Sequence, residues 1–336
     1  MKGLTFALAA ILALGAANGQ SKTQKPAQKE PGRIVLGTDQ MKGDNGKFGS
    51  THTIGQRSPM NITLTDARFS VERFNIGANS WAPTKGEKLL ILTYTIHNPN
   101  PAITHADGTT LKFTAVDQDD QNHEAPTTIC NKESGDSFSM EMKPAQKVVC
   151  QTVIVVPAKG TVPKLIVQHE SGGAVLRYDL RPVLKPLPAP YAGQGMDALE
   201  EIPADKGQVL PLMYFDASFL STEFVERKFG VSTIPEDKVF FFPKFKVKKQ
   251  AAPGMLRINA QAITEDGDRY NSQMIAKGSV EESASSFVDK GQELTIRLMI
   301  IVPKKAKITQ IRLWEGDAKT SRIYVFPVEA QFTSSH

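Results

Sequence analysis

Two stretches carry the clearest alternation in the chain. Val148-Val149-Cys150-Gln151-Thr152-Val153-Ile154-Val155-Val156-Pro157 is β-branched, alternates polar with apolar through Gln151 and Thr152, and stops at a proline. A near copy recurs at Glu293-Leu294-Thr295-Ile296-Arg297-Leu298-Met299-Ile300-Ile301-Val302-Pro303. The chain reads as two copies of one β-unit, each built around this strand. In the first copy, Ile62/Leu64 and Phe69/Val71 alternate with polar residues, and the switch of face near Asp66 predicts a bulge. In Lys88 to His97, Leu90, Leu92, Tyr94 and Ile96 point inward, Thr93 and Thr95 outward. Asn98-Pro99-Asn100-Pro101 ends that strand, since proline cannot continue the ladder. Leu111 to Val116 is a further strand, and Asp117 to Asn122 a turn. Ser137 to Met142 leads into the central strand. Lys164 to His169 and Ala174 to Leu180 close as a hairpin across Glu170-Ser171-Gly172-Gly173. No segment shows a long 3.6-residue apolar period, so the pattern predicts an all-β protein of sandwich type.

The second half echoes the first in constant order. Asp216-Ala217-Ser218-Phe219 matches Asp66-Ala67-Arg68-Phe69, and Val239, Phe241, Pro243 and Phe245 match Leu90, Leu92, Tyr94 and Ile96. Ile263 to Gly267 matches the Val116 turn, and Ile311-Arg312-Leu313 matches Leu165-Ile166-Val167. Between the copies, Pro182, Pro186, Pro188 and Pro190 make a stiff connector, with one helical turn expected at Met196 to Glu200. The expected organisation is a signal peptide at 1–19, a flexible tether at 20–58, a sandwich at 59–183, a proline-rich linker at 184–207 and a second sandwich at 208–332.

The leader follows from Met1-Lys2, the apolar run Leu4 to Leu14 and the small residues before Gly19, with cleavage after Gly19 or, second, Ala17. The run is shorter than the roughly 20 apolar residues of a membrane span, and no cysteine follows it to take a lipid anchor. Ser21 to Ser58 is rich in Lys, Gln, Gly and Thr, which suits a tether, with a short strand at Arg33 to Leu36. The mature chain is therefore expected to be secreted or periplasmic, with no membrane span. The composition, 40% hydrophobic and 22% charged, fits globular domains. The net charge of +5 is mild and gathers partly in the tether. Lys244, Lys246 and Lys248 share one face of a strand. They read either as a contact for an anionic polymer or as guards of an edge strand against aggregation. A nucleic-acid role lacks an accompanying aromatic platform.

Several of these segments, taken together, resemble a known family. They are Lys88-Leu89-Leu90-Ile91-Leu92-Thr93-Tyr94-Thr95-Ile96-His97-Asn98, then Phe113 to Asp117 with its polar turn, then Lys143-Pro144-Ala145-Gln146-Lys147 before the central strand and Val155-Val156-Pro157 after it. The family is one of bacterial extracytoplasmic domains of unknown function: immunoglobulin-like, telokin-like sandwiches often attached to lipoproteins. The resemblance covers most of both copies. It implies an immunoglobulin-like fold and an envelope location and transfers no catalytic residue. The chain departs from the family in lacking a lipobox cysteine and in having two copies.

Export gives meaning to Cys130 and Cys150. An oxidising compartment favours a disulfide between them, contributing on the order of 3 kcal/mol in the chain-entropy model; the other reading is a buried free thiol at Cys150 with Cys130 exposed. No paired histidine marks a catalytic thiol. Asp117-Gln118-Asp119-Asp120 with His123 and Glu124 offers oxygen ligands for calcium but lacks the spacing of a calcium loop, so a solvated hairpin tip is the reading. His52, His97, His105, His123, His169 and His336 form no metal-binding pair, and neither metal nor cofactor is expected. There is no Gly-x-Ser-x-Gly elbow and no phosphate loop. By alternation Ile311 and Leu313 face the core while Arg312 and Trp314 face out. Trp314 beside Arg312 then either stacks on a sugar or partner surface or packs on the other sandwich or the linker. Trp81 is a second candidate of the same kind. Asn61-Ile62-Thr63 fits a glycosylation sequon. The expected function is non-catalytic: binding or scaffolding of a cell-envelope protein or glycan. The alternative is a carbohydrate-binding pair using Trp314 or Trp81; an enzyme with a loop-borne site comes last.

Overall fold

The computed structural model describes residues 45–169, 173–198, 200–226, 228–230, 232–278 and 287–333. The leader, the expected strand Arg33 to Leu36, most of the tether and the hairpin tip at 170–172 lie outside the described residues.

The first half contains β1 (Asn45–Gly46), β2 (Thr51–Ile54), β3 (Met60–Ser70), β4 (Phe74–Ile76), β5 (Asn79–Trp81), β6 (Glu87–His97) and β7 (Thr104–Asp107). It continues with β8 (Lys112–Val116), β9 (Asn122–Glu124), β10 (Cys130–Asn131), β11 (Ser139–Met142), β12 (Lys147–Pro157), β13 (Lys164–Gln168) and β14 (Val175–Asp179). Two five-stranded sheets result, ordered β1-β14-β13-β8-β9 and β10-β12-β6-β3-β2. Leu90, Leu92, Tyr94 and Ile96 of β6 are buried in one core with Cys150, Phe113, Leu165 and Tyr178, as the alternation required. The opposite face of β6 and β12 is covered as well. Ile76, Leu89, Ile91, Cys130 and Val153 form a second cluster, against which Phe74 and Trp81 of the β4–β5 hairpin pack. A strand buried on both faces reads as a continuous apolar run, which is why Leu89-Leu90-Ile91-Leu92 does not alternate.

The second half contains β15 (Ile202–Pro203), β16 (Leu210–Pro211), β17 (Phe215–Val225), β18 (Lys228–Phe229), β19 (Ser232–Thr233), β20 (Lys238–Lys249) and β21 (Gly254–Met255). It ends with β22 (Ile258–Thr264), β23 (Arg269–Lys277), β24 (Phe287–Val288), β25 (Glu293–Pro303), β26 (Lys307–Glu315) and β27 (Tyr324–Gln331). Nine of these join in the order β15-β27-β26-β22-β23-β25-β20-β17-β16. β23 pairs with β22 over Arg269–Asn271 and with β25 from Ser272 on, so it crosses from one layer to the other. Between the layers lies a core that includes Phe215, Phe219, Phe241, Phe245, Ile300 and Phe326. Outside, Phe229 of the β18–β19 hairpin covers Phe240, Phe242, Ala276 and Met299. Both halves are immunoglobulin-like β-sandwiches.

The pairing of the first half recurs in the second. The trio β3-β6-β12 corresponds to β17-β20-β25, and β8-β13-β14 to β22-β26-β27. β1 runs parallel to β14 as β15 does to β27. The bulge expected near Asp66 appears as a register shift between Leu64 and Asp66, and its counterpart lies between Phe219 and Ser221. Val116 faces Lys164 as Ile263 faces Gln310, so the turn match holds. Two sequence matches shift. With Pro157 facing Glu87 and Pro303 facing Lys238, Tyr94 opposite Cys150 corresponds to Phe245 opposite Ile296, not to Pro243. A slip of two residues keeps the same face, so period-2 alternation cannot reveal it. The bulges align Asp66 with Ser221, and the Asp216 echo has no counterpart in the pairing.

Other expectations are corrected. β1 and β2 fall within the expected tether, and β2 pairs with Met60–Thr63 as an edge strand. Only Ile54 of β2 is buried, so its composition looked like linker. β20 lies between β17 and β25 and is not an edge strand. Its outward lysines are held by carboxylates, with Lys244 on Glu223, and with Lys246 and Lys248 2.6 and 3.8 Å from Glu293. The expected helical turn forms at Gly195–Ala198, and the connector's Leu187 and Met196 pack on Val71.

The disulfide between Cys130 and Cys150 does not form; both are buried free thiols. In the β10–β12 ladder Cys130 sits opposite Gln151 and Asn131 opposite Cys150. Neighbouring ladder positions point to opposite faces, so Cys150 enters the inner core and Cys130 the outer cluster. Burial pushes the Cys150 thiol up to about 12, and the Cys130 thiol up as well. Thiol labelling should therefore find both cysteines in unfolded, non-reduced protein and neither in native protein at pH 8.

Tyr94 Oη is buried with no hydrogen-bond partner among the described residues, and the second half places Phe245 at that position. Removing an orphaned buried hydroxyl relieves its desolvation penalty. Tyr94→Phe should raise the unfolding free energy by about 1 kcal/mol in urea titrations; a loss of stability would mean that the hydroxyl is satisfied.

Candidate functional site at the junction of the sandwiches

The seam between the halves is built largely on main-chain acceptors, with two arginines prominent among the donors. Arg73, in the loop after β3, donates to the carbonyls of Leu212 (3.2 Å) and Phe215 (3.1 Å) and to Asp216 Oδ1 (2.7 Å). Arg322 donates to the carbonyls of Pro83 (3.3 Å) and Val71. Lys85 N donates to Thr320 O (2.9 Å), Ala252 N to Ala78 O (2.5 Å) and Lys290 Nζ to Gly77 O (2.7 Å). The β4–β5 hairpin that covers the first sandwich thus also touches the second.

Beside this seam opens a cleft of about 730 Å³. Trp81 at the end of β5, Tyr214 before β17, Met255 of β21 and Phe287 of β24 line it, with Arg257 among them. Tyr214, Met255 and Phe287 are 45%, 54% and 68% exposed, an unusual display for large apolar side chains. Two buried charges form the floor. Lys249 ends β20 and Glu315 ends β26, where the strands run out at the junction. Lys249 is 3% exposed, and its Nζ lies 4.8 Å from the Tyr214 ring centroid and 4.3 Å from that of Phe215. Burial lowers its pKa, and the Glu315 charge opposes this. For Glu315, burial raises the pKa. The amides of Tyr214, Phe215 and Met213 and the Lys249 charge pull the other way. The Tyr214 amide donates to Glu315 Oε2 at 2.9 Å.

Of the residues singled out in the sequence, Trp81 reaches this cleft, half-buried against Phe74 across the hairpin. Trp314 and Arg312 line a different recess of about 460 Å³, with Asn259, Gln261 and Asn271. Trp314 does lie on the outer side of β26, opposite Asn259, but it is only 9% exposed. Arg312 donates to Gln261 Oε1 (2.7 Å) and pairs with the connector's Glu201 (2.5 Å). The acidic turn is engaged internally. Asp117 Oδ1 accepts the amides of Asp119 and Gln121, both at 2.9 Å, and Oδ2 lies 2.8 Å from His123 Nε2. Burial raises the Asp117 pKa, but these hydrogen bonds outweigh it and leave the group below its ordinary value. Asn61 of the sequon lies in the β3 ladder, its Nδ2 3.0 Å from His97 Nδ1. Tyr214, Met255 and Phe287 escaped the sequence reading. Their one signal was large apolar residues within turn-rich segments such as Ala251-Ala252-Pro253-Gly254-Met255.

No protein-family model and no curated protein matches the chain. Among solved structures it is similar to an uncharacterised β-sandwich protein from Clostridium difficile 630. That similarity has 16% identity and a TM-score of 0.30 and covers 38% of this chain and 93% of that one. It is also similar to bovine butyrophilin, at 7% identity and a TM-score of 0.23, covering 80% of this chain and 99% of that one. The strand pairing defines an all-β chain of immunoglobulin-like sandwiches. No helix among the described residues is long and apolar enough to cross a membrane.

Arg73 is 10% exposed at its side chain and holds three acceptors at once. Arg73→Ala should cost about 2–4 kcal/mol in urea unfolding, since buried acceptors lose a charged donor. Arg73→Lys should recover only part of this, because an ammonium cannot reproduce the planar fork.

Proposed function

We propose that the chain is an exported, non-catalytic binding protein whose doubled sandwich presents the junction cleft to a component of the cell envelope. The observation that carries this reading is the gathering of Tyr214, Met255 and Phe287, exposed, with Trp81 around one cleft. Exposed apolar residues concentrated in a concavity mark recognition surfaces far more often than scattered ones do. The apolar leader supports export, and the family resemblance supports an extracytoplasmic, telokin-like module. The recurring ladder supports descent from one doubled unit. The carbohydrate-binding alternative now leans on Trp81, since Trp314 is covered.

Met255→Ser combined with Phe287→Ser should abolish retention of an envelope component from solubilised envelope extract while leaving the melting temperature unchanged. Unchanged retention would refute the cleft as the binding surface. If only Trp81→Ala removed binding, on a glycan array, the carbohydrate alternative would take its place. The exported protein should begin at Gln20, read by N-terminal sequencing.

A further inference from the structure

We propose that the junction cleft binds a small amphipathic carboxylate, its anionic group on Lys249 and its apolar body against Trp81, Met255 and Phe287. This rests on the cleft reading above and names the ligand class.

An ammonium carries three donors and no acceptor capacity. Among the described residues, Lys249 Nζ makes no hydrogen bond and no ion pair; its contacts are the faces of Tyr214 and Phe215. Cation–π attraction offsets part of the desolvation of a buried charge but satisfies none of its donors in the way an oxygen acceptor does. Glu315 is the nearby carboxylate, and its Oε2 is occupied by the Tyr214 amide. Lys249 is among the residues that line the cleft. Gly254 contributes no side chain beside it, where a Cβ would stand 3.7 Å from Nζ. Arg257, exposed at the same cleft, adds a second positive charge. The unmet donors and the charge balance favour an anion. The exposed apolar side chains favour a hydrocarbon or aromatic body attached to it. A cleft of about 730 Å³ also suits a small molecule, since ligand sites typically span roughly 300–1,000 Å³. The lowered pKa of Lys249, caused by burial, agrees with an ammonium awaiting a counter-charge.

Calorimetric titration of the full chain with decanoate and with 1-decanol tests this directly. Decanoate should bind at least roughly tenfold more tightly, as a charge-assisted hydrogen bond at a desolvated site implies. Lys249→Met keeps an apolar stem and should erase the preference, whereas Lys249→Arg should retain most of it. Met255→Ser with Phe287→Ser should weaken both probes alike. Equal affinity of the wild-type protein for the two probes, or binding of neither, would overturn the proposal without any variant having to fold. So would a Lys249→Met protein that kept the preference. Envelope retention that depends on Met255 and Phe287, found alongside equal probe affinities, would leave the cleft as a binding surface and remove only the carboxylate.

Discussion

Burial on both faces of the paired central strands is the constraint on which the rest of the structure depends. β6 against β12, and β20 against β25, are covered inside by the opposing sheet and outside by a small hairpin. A sheet of this kind cannot keep alternate residues polar, so its strands become runs such as Leu89-Leu90-Ile91-Leu92 and Val239-Phe240-Phe241-Phe242. The covering hairpins are then structural necessities. In the first half this cover does a second job, because the loop at its tip and its outgoing strand meet the other sandwich. The junction cleft exists because a hairpin that shields one half also forms a wall against the next.

Charge at the junction follows a similar economy. Arg73 and Arg322 place donors on main-chain carbonyls that end strands and loops, and this ties the seam together. Glu315 answers the amide of Tyr214, leaving Lys249 among aromatic rings. A group of this kind is costlier to hold than Lys246 or Arg297, which carry the carboxylates of Glu293 and Glu223.

The long strands were legible because each announces itself locally. Alternation gave the inward set Leu90, Leu92, Tyr94 and Ile96, proline gave the ends of β12 and β25, and the break in period near Asp66 gave the bulge. What was hidden needed the third dimension. Whether Cys130 meets Cys150 depends on one step of ladder register, which places them on opposite faces of the same sheet. Trp314 obeyed the alternation, yet its own side chain is largely buried on that outer face. β2 was read as tether because an edge strand that buries one residue in four leaves almost no trace in composition. The cleft residues come from segments far apart in sequence, among turns where no periodicity applies, and a lone chain offers no sign that they converge.

The short leading strands have a mechanical consequence. β1 runs parallel to β14 and β15 parallel to β27, so among the described residues each sandwich joins its first strand to its last in the same direction. Tension applied along the polypeptide pulls such partners past one another lengthwise and loads their hydrogen bonds together, instead of opening them one at a time as in an antiparallel hairpin pulled from its free ends. Stretched between its two ends, the described chain would meet the load with both parallel pairs in shear.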